Sequence, residues 1–217
     1  MEGRAVRAFV VVVASLSLGC ASGSGGGSPD APGTPARPEQ ATADLPVGFG
    51  TLHQEDIALR IQLPGVLVRA LPLDESVIRV LSPDSYRGLH ELVASRQAEL
   101  DEHARRYGVR RPSLWYFSYY GVQPDARFSP DEVVITSAGR VFRPLSIVPL
   151  TTGFGEQRLE QRGVQTAIYL FDDGVDVNLP LIVTVQGTPS SGWEANLRRI
   201  ERERALVRSR AAARSGG

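Results

Sequence analysis

The segment SLWYFSYYG, residues 113–121, limits the folds open to this chain more than any other. Its WYFSYY core, residues 115–120, holds five of the chain's aromatic residues, which number 2 Trp, 6 Tyr and 7 Phe. In a strand, side chains alternate between faces, so Trp115, Phe117 and Tyr119 point one way and Leu114, Tyr116, Ser118, Tyr120 and Val122 the other. A strand apolar on both faces needs cover on both, which calls for a layered domain with this strand near its centre.

One layer stands next to it in the sequence. Ser82-Pro83-Asp84 offers an N-cap hydroxyl, a first-turn proline and an acid at the positive end of the helix dipole. Tyr86, Leu89, Val93, Leu100, Ala104 and Tyr107 follow at mostly three- or four-residue steps, and Gly108 is able to end the run in a left-handed conformation. The spacing predicts a single amphipathic helix over Pro83–Tyr107. Only Gly108 to Pro112 separates it from the aromatic strand, so it must fold straight back and bury its stripe, most directly on the Leu114 face. That leaves two readings of the aromatics: structural core, or a recognition surface in which the hydroxyls of Tyr116 and Tyr120 serve best.

The remaining pattern is mostly strand. Ile57, Leu59, Ile61 and Leu63 alternate, Pro64-Gly65 interrupts, and Val66 and Val68 resume, as in two strands joined by a turn. A further apolar piece covers Val77–Leu81. VVITSAGRVFRPLSIVPL predicts two strands around Ala138-Gly139-Arg140, and TTGFGEQRLEQRG fits either a loop or a short helical turn. VQTAIYLF and VDVNLPLIVTV flank Asp172-Asp173-Gly174 and predict a hairpin, with Pro180 placing its second arm at an edge or bulge. Ser191 and Glu194 match a capping box that opens a helix reaching about Ala213. The expected fold is α+β: a β-rich, sandwich-like domain with an amphipathic helix packed on the sheet and a C-terminal helix.

The N-terminal region reads differently. Arg4 and Arg7 precede an uncharged apolar run from Ala8 to Leu18, then Gly19 and Cys20, the layout of an export signal and too short for a permanent span. LSLGC resembles the lipobox of bacterial lipoprotein precursors, with Ser17 at a position where that family usually has leucine. The resemblance implies cleavage before Cys20 and acylation of its thiol. Cys20 is also the chain's single cysteine, and an exported protein with one unpaired thiol makes sense if that thiol is consumed. Ala21 in place of an aspartate implies, by the same resemblance, an outer-membrane location facing the periplasm. Residues 20–47, rich in Gly, Pro, Ser and Ala, have too little apolar surface to offset chain entropy and are expected to act as a tether. The expected organisation is thus signal peptide 1–19, lipidated tether 20–47, folded domain 48–190, and basic C-terminal helix and tail 191–217.

Charge excludes some functions. The chain has 24 basic and 24 acidic residues, and without residues 1–20 the balance is 22 against 23, so no nucleic-acid partner is expected. Every basic residue is arginine, which rules out a P-loop lysine, a Schiff-base lysine and a Ser-Lys dyad.

No catalytic constellation is legible, and no cofactor or metal is expected. There is no G-x-S-x-G, and His53, His90 and His103 read as helix-surface or loop residues. Glu99 and His103 share a helix face but make only a two-ligand pair. Asp172, Asp173, Asp176 and Asn178 offer oxygens to a hard cation, yet their spacing fits no calcium loop and reads more simply as a solvated turn. Gly153 and Gly155 lack the partners of a phosphate loop.

In the C-terminal segment, Trp193, Leu197, Ile200, Val207 and Ala211 form a partial stripe among arginines. It fits either a helix packed on the sheet or, beyond Ala205, an exposed tail for a membrane or protein partner. The sequence therefore points to a lipid-anchored envelope module for binding or scaffolding, held to the membrane by its N-terminal lipid and touching an envelope protein through the C-terminal helix. Tyr116, Tyr120 and Trp193 are the expected binding residues. The alternatives are a small-molecule or carbohydrate sensor, or a carboxylate-based envelope hydrolase.

Overall fold

The computed structural model describes residues 45–190 and 192–216. The signal, Cys20 and nearly all of the tether lie outside them, as does Ser191 of the expected capping box. The fold is an α+β sandwich.

One sheet has five antiparallel strands in the order β1 (Leu59–Leu63), β2 (Val66–Pro72), β3 (Ser113–Gly121), β9 (Val164–Phe171) and β7 (Ser146–Pro149). The other has four, in the order β11 (Thr188–Ser190), β10 (Leu181–Val185), β5 (Val133–Ser137) and β6 (Arg140–Phe142). A small ribbon pairs β4 (Ala126–Arg127) with β8 (Arg158–Leu159). The aromatic segment is β3, the middle strand of the larger sheet. Its Trp115, Phe117 and Tyr119 are completely buried. Phe117 packs at a tilt against Tyr169 of β9 at 4.4 Å between ring centroids, and Tyr119 stacks on Phe128 at 4.3 Å.

Two helices cover part of the opposite face. The expected single helix is two, α3 (Pro83–Ser95) and α4 (Gln97–Arg106), preceded by one-turn helices α1 (Gln54–Ile57) and α2 (Glu75–Ile78). The break falls at Arg96 (φ −112°, ψ 5°), where the Arg96 N–H donates to the Val93 carbonyl and tightens the last turn of α3. It lies within the seven-residue step from Val93 to Leu100, where no large apolar side chain holds the helix to the core. Leu89 and Leu100 join the core, Val93 and Leu92 pack against it, and His103 Nδ1 meets Ser146 Oγ of β7 at 2.8 Å. Gly108 ends α4 at φ 69°, as its position suggests.

The hairpin expected at Asp172-Asp173-Gly174 does not form. β9 pairs with β3 and β7, whereas β10 pairs with β5 and β11, so the connection crosses from one sheet to the other. Ala167–Phe171 is buried without alternation, the signature of a strand covered on both sides, and such a strand cannot serve as the arm of an isolated hairpin. The positive φ values that tight hairpins need fall on Ala138-Gly139 and Gln186-Gly187. Val175 and Val177 of the crossover are buried and close one end of the sandwich. Pro180 lies just before β10, an interior strand, at a position that asks for no ladder hydrogen bond.

The C-terminal helix α5 (Trp193–Ser215) is buried on one side from Trp193 to Val207. Trp193, Ile200 and Val207 are completely buried, and Arg210 donates to the Phe49 carbonyl and to Glu203. Beyond Ala205 the expected exposed tail is helical and held by the buried Val207 and by Arg210, while Leu206 and residues 212–216 are exposed. Glu203 and Arg204 lie inside, and each is satisfied. Glu203 accepts from the Thr51 N–H, the Thr51 hydroxyl and Arg210, while Arg204 donates to the Ser76 carbonyl and Asn178 Oδ1.

Candidate functional site

The structure separates the three residues expected to bind. Trp193 is fully buried, its ring tilted against Trp115 at 5.9 Å between centroids, with its indole N–H donated to the Val177 carbonyl. No external ligand reaches it, which corrects its assignment as a binding residue: the apolar stripe that suggested exposure is spent on the core. Tyr116 is half-buried against the core, and burial raises its hydroxyl's pKa, with Thr166 and Arg69 working in the opposite direction. Tyr120 is 37% exposed at the end of β3. The open part of this sheet face is largely polar, with Arg60, Gln62, Arg69 and Ser118 beside Tyr120.

The outer face of the four-stranded sheet has a different character. Register places Val134 and Thr136 of β5, Val141 of β6, Ile182 and Thr184 of β10 and Pro189 of β11 on one side. None carries a charge. Val141 is 64% and Ile182 40% exposed. The sequence hid this patch because it is dispersed over 55 positions and emerges only when four strands align. The exposed part of this face is uncharged and mostly β-branched.

A second feature lies at one end of the sandwich. The segments Leu73–Ser76, Arg110–Leu114 and the crossover after β9 surround a cleft of about 940 Å³. Arg204 lies behind it, and its pKa is lowered by desolvation, the cost of holding a guanidinium away from water. Of the side chains that offer oxygens to a hard cation, Asp173, Asp176 and Asn178 line this cleft and Asp172 does not. The neighbouring carboxyls of Asp172 and Asp173 act on each other, which holds the first below its ordinary pKa and pushes the second above it. Asp176 accepts from the Asn178 N–H, and Asn178 is engaged by Arg204. Among the described residues no group of three or more metal-ligating side chains gathers. Glu99 turns to Arg96, and His90 meets Glu75 at 3.0 Å and stacks on Tyr86.

Among the described residues no helix is long and apolar enough to cross a membrane. Comparison of the chain with known protein families, with curated proteins and with solved structures finds no match.

Proposed function

We propose that this protein is a non-enzymatic docking module of the bacterial cell envelope, anchored by lipid on Cys20 and presenting the outer face of its four-stranded sheet to a partner protein. The single observation that supports this most is the absence of charge across Val134, Thr136, Val141, Ile182, Thr184 and Pro189 in a chain that is 22% charged. The matching surface is flat and uncharged too, because a charge buried against these side chains would lose its water and find no partner. Strands about 4.8 Å apart and about 3.3 Å per residue give the patch roughly 200 Å². A stable interface covers about 800 Å² per partner, so this contact alone is weak. Anchoring both proteins on one membrane raises their effective concentration and makes such a contact productive. Burial of the helix's apolar residues from Trp193 to Val207 is the reason for assigning the partner contact to this sheet and not to the C-terminal helix.

The test is site-specific photocrosslinking in cells with the full chain. A crosslinker at Thr184 should capture a neighbour that one at Arg60, on the other sheet's outer face, does not. Val141→Asp with Ile182→Asp should abolish the capture while leaving the melting temperature within a degree or two. Cys20→Ser should end fatty-acid labelling, release the protein from membranes and reduce the capture. Capture that persists in the aspartate variant refutes the docking face, and unchanged labelling of Cys20→Ser refutes the anchor.

A further inference from the structure

The end cleft is braced from behind. The Leu73 N–H donates to the Leu114 carbonyl at 2.8 Å, joining two of its three segments. The buried Arg204 guanidinium joins the third, donating at 2.9 Å to the Ser76 carbonyl and at 2.8 Å to Asn178 Oδ1. A single side chain of the core thus holds both acidic walls, and the cleft is preorganised rather than a gap between mobile loops.

Its lining carries both signs of charge. Arg110 and Arg111 are exposed and have no hydrogen-bond or ion-pair partner among the described residues. Asp74 and Asp176 border the same space, each using one carboxylate oxygen to cap a local turn. No ion pair joins the arginines to these acids although they line one cleft. Leu73, Leu114, Val175 and Val177 supply apolar wall between them.

We propose that this cleft binds a short peptide by its two free ends, with the carboxylate on Arg110 and Arg111 and the ammonium on Asp74 and Asp176. A ligand with one charge pairs with one wall only, whereas a zwitterion offers an opposite charge to each. Size favours a peptide over a single amino acid. At about 940 Å³ the cleft is near the top of the range for small-ligand sites, roughly 300–1,000 Å³. Its cube root, roughly 10 Å, matches the span of about three extended residues. The site is separate from the docking face, so either proposal stands or falls without the other.

Titration calorimetry of the purified protein at low salt, with trialanine as probe, tests this. The free peptide should bind, and either N-acetylation or C-terminal amidation should weaken binding about tenfold, the worth of one charge-assisted contact. Arg110→Gln with Arg111→Gln should weaken the free peptide about tenfold with no change in melting temperature, because both side chains are exposed. Equal affinity of the doubly blocked peptide, undiminished binding by the arginine variant, or no binding of the free peptide would each overturn the proposal.

Discussion

Among the described residues, tyrosine is the side chain type whose unperturbed pKa falls between about pH 9 and pH 12, because every basic residue is an arginine. Two tyrosines, Tyr119 and Tyr169, lie in the core. Their hydroxyl oxygens are 2.7 Å apart, and Tyr169 donates to the Pro130 carbonyl at 3.1 Å. Burial raises both pKa values far above the ordinary value, and for Tyr169 the neighbouring Tyr119 adds to the rise. The unfolded chain releases these protons near pH 10, the native state does not, so above that pH the unfolded state binds fewer protons and stability falls as pH rises. Each group contributes about 1.4 kcal/mol per pH unit. At about pH 11.5 the pair lowers stability by about 4 kcal/mol relative to pH 8, a large share of the roughly 5–15 kcal/mol typical of a domain. Denaturant midpoints measured across this range, with tyrosinate absorbance followed in parallel, should show that loss. Tyr119→Phe or Tyr169→Phe should each remove about 2 kcal/mol of the pH dependence. At pH 8, Tyr169→Phe should cost more, about 1–3 kcal/mol, because it leaves the Pro130 carbonyl and the Tyr119 hydroxyl without partners. A midpoint that stays flat from pH 9 to about 11.5, or a native state in which every tyrosine ionises near pH 10, would refute this reasoning.

Two further outcomes follow from the C-terminal helix. Arg204→Met should destabilise by about 3 kcal/mol, measured by denaturant unfolding, since the Ser76 carbonyl and Asn178 Oδ1 lose their donor, and it should also weaken trialanine binding by loosening the cleft. Truncation after Arg204 removes Val207 from the core and takes Arg210 from Glu203, so the shortened chain should lose about 4 kcal/mol by the same assay; an unchanged midpoint would show that the helix end adds nothing.

Much of the architecture is legible because it is local. The doubly apolar run 113–121, the stripe from Tyr86 to Ala104 and the proline at 83 specify a covered strand and a returning helical layer from short-range periodicity alone. The break at Arg96 escaped because the pattern on each side of it has the same phase, so nothing in the stripe marks two helices. The crossover after β9 escaped for another reason. Asp-Gly between two apolar runs is a local turn signal, but which sheet β10 joins depends on pairing with β5, 44–52 positions away in the chain at matched residues.

The candidate surfaces divide along the same line. Cys20 and its flanks are read from contiguous residues, since the machinery that would process such a signal meets it as an extended chain. Trp193 and Tyr120 are alike in type, yet one is sealed and the other open, because burial is decided by which elements stack on a side chain and not by its own character. The uncharged sheet face and the braced cleft each collect residues from three or more distant segments. Sequence by itself determined the layered α+β class and the central strand, through periodicities that every possible packing must satisfy. Tertiary structure alone decided which face stays bare and which arginines stay unpaired, because those depend on long-range register and on what remains uncovered once the core is closed.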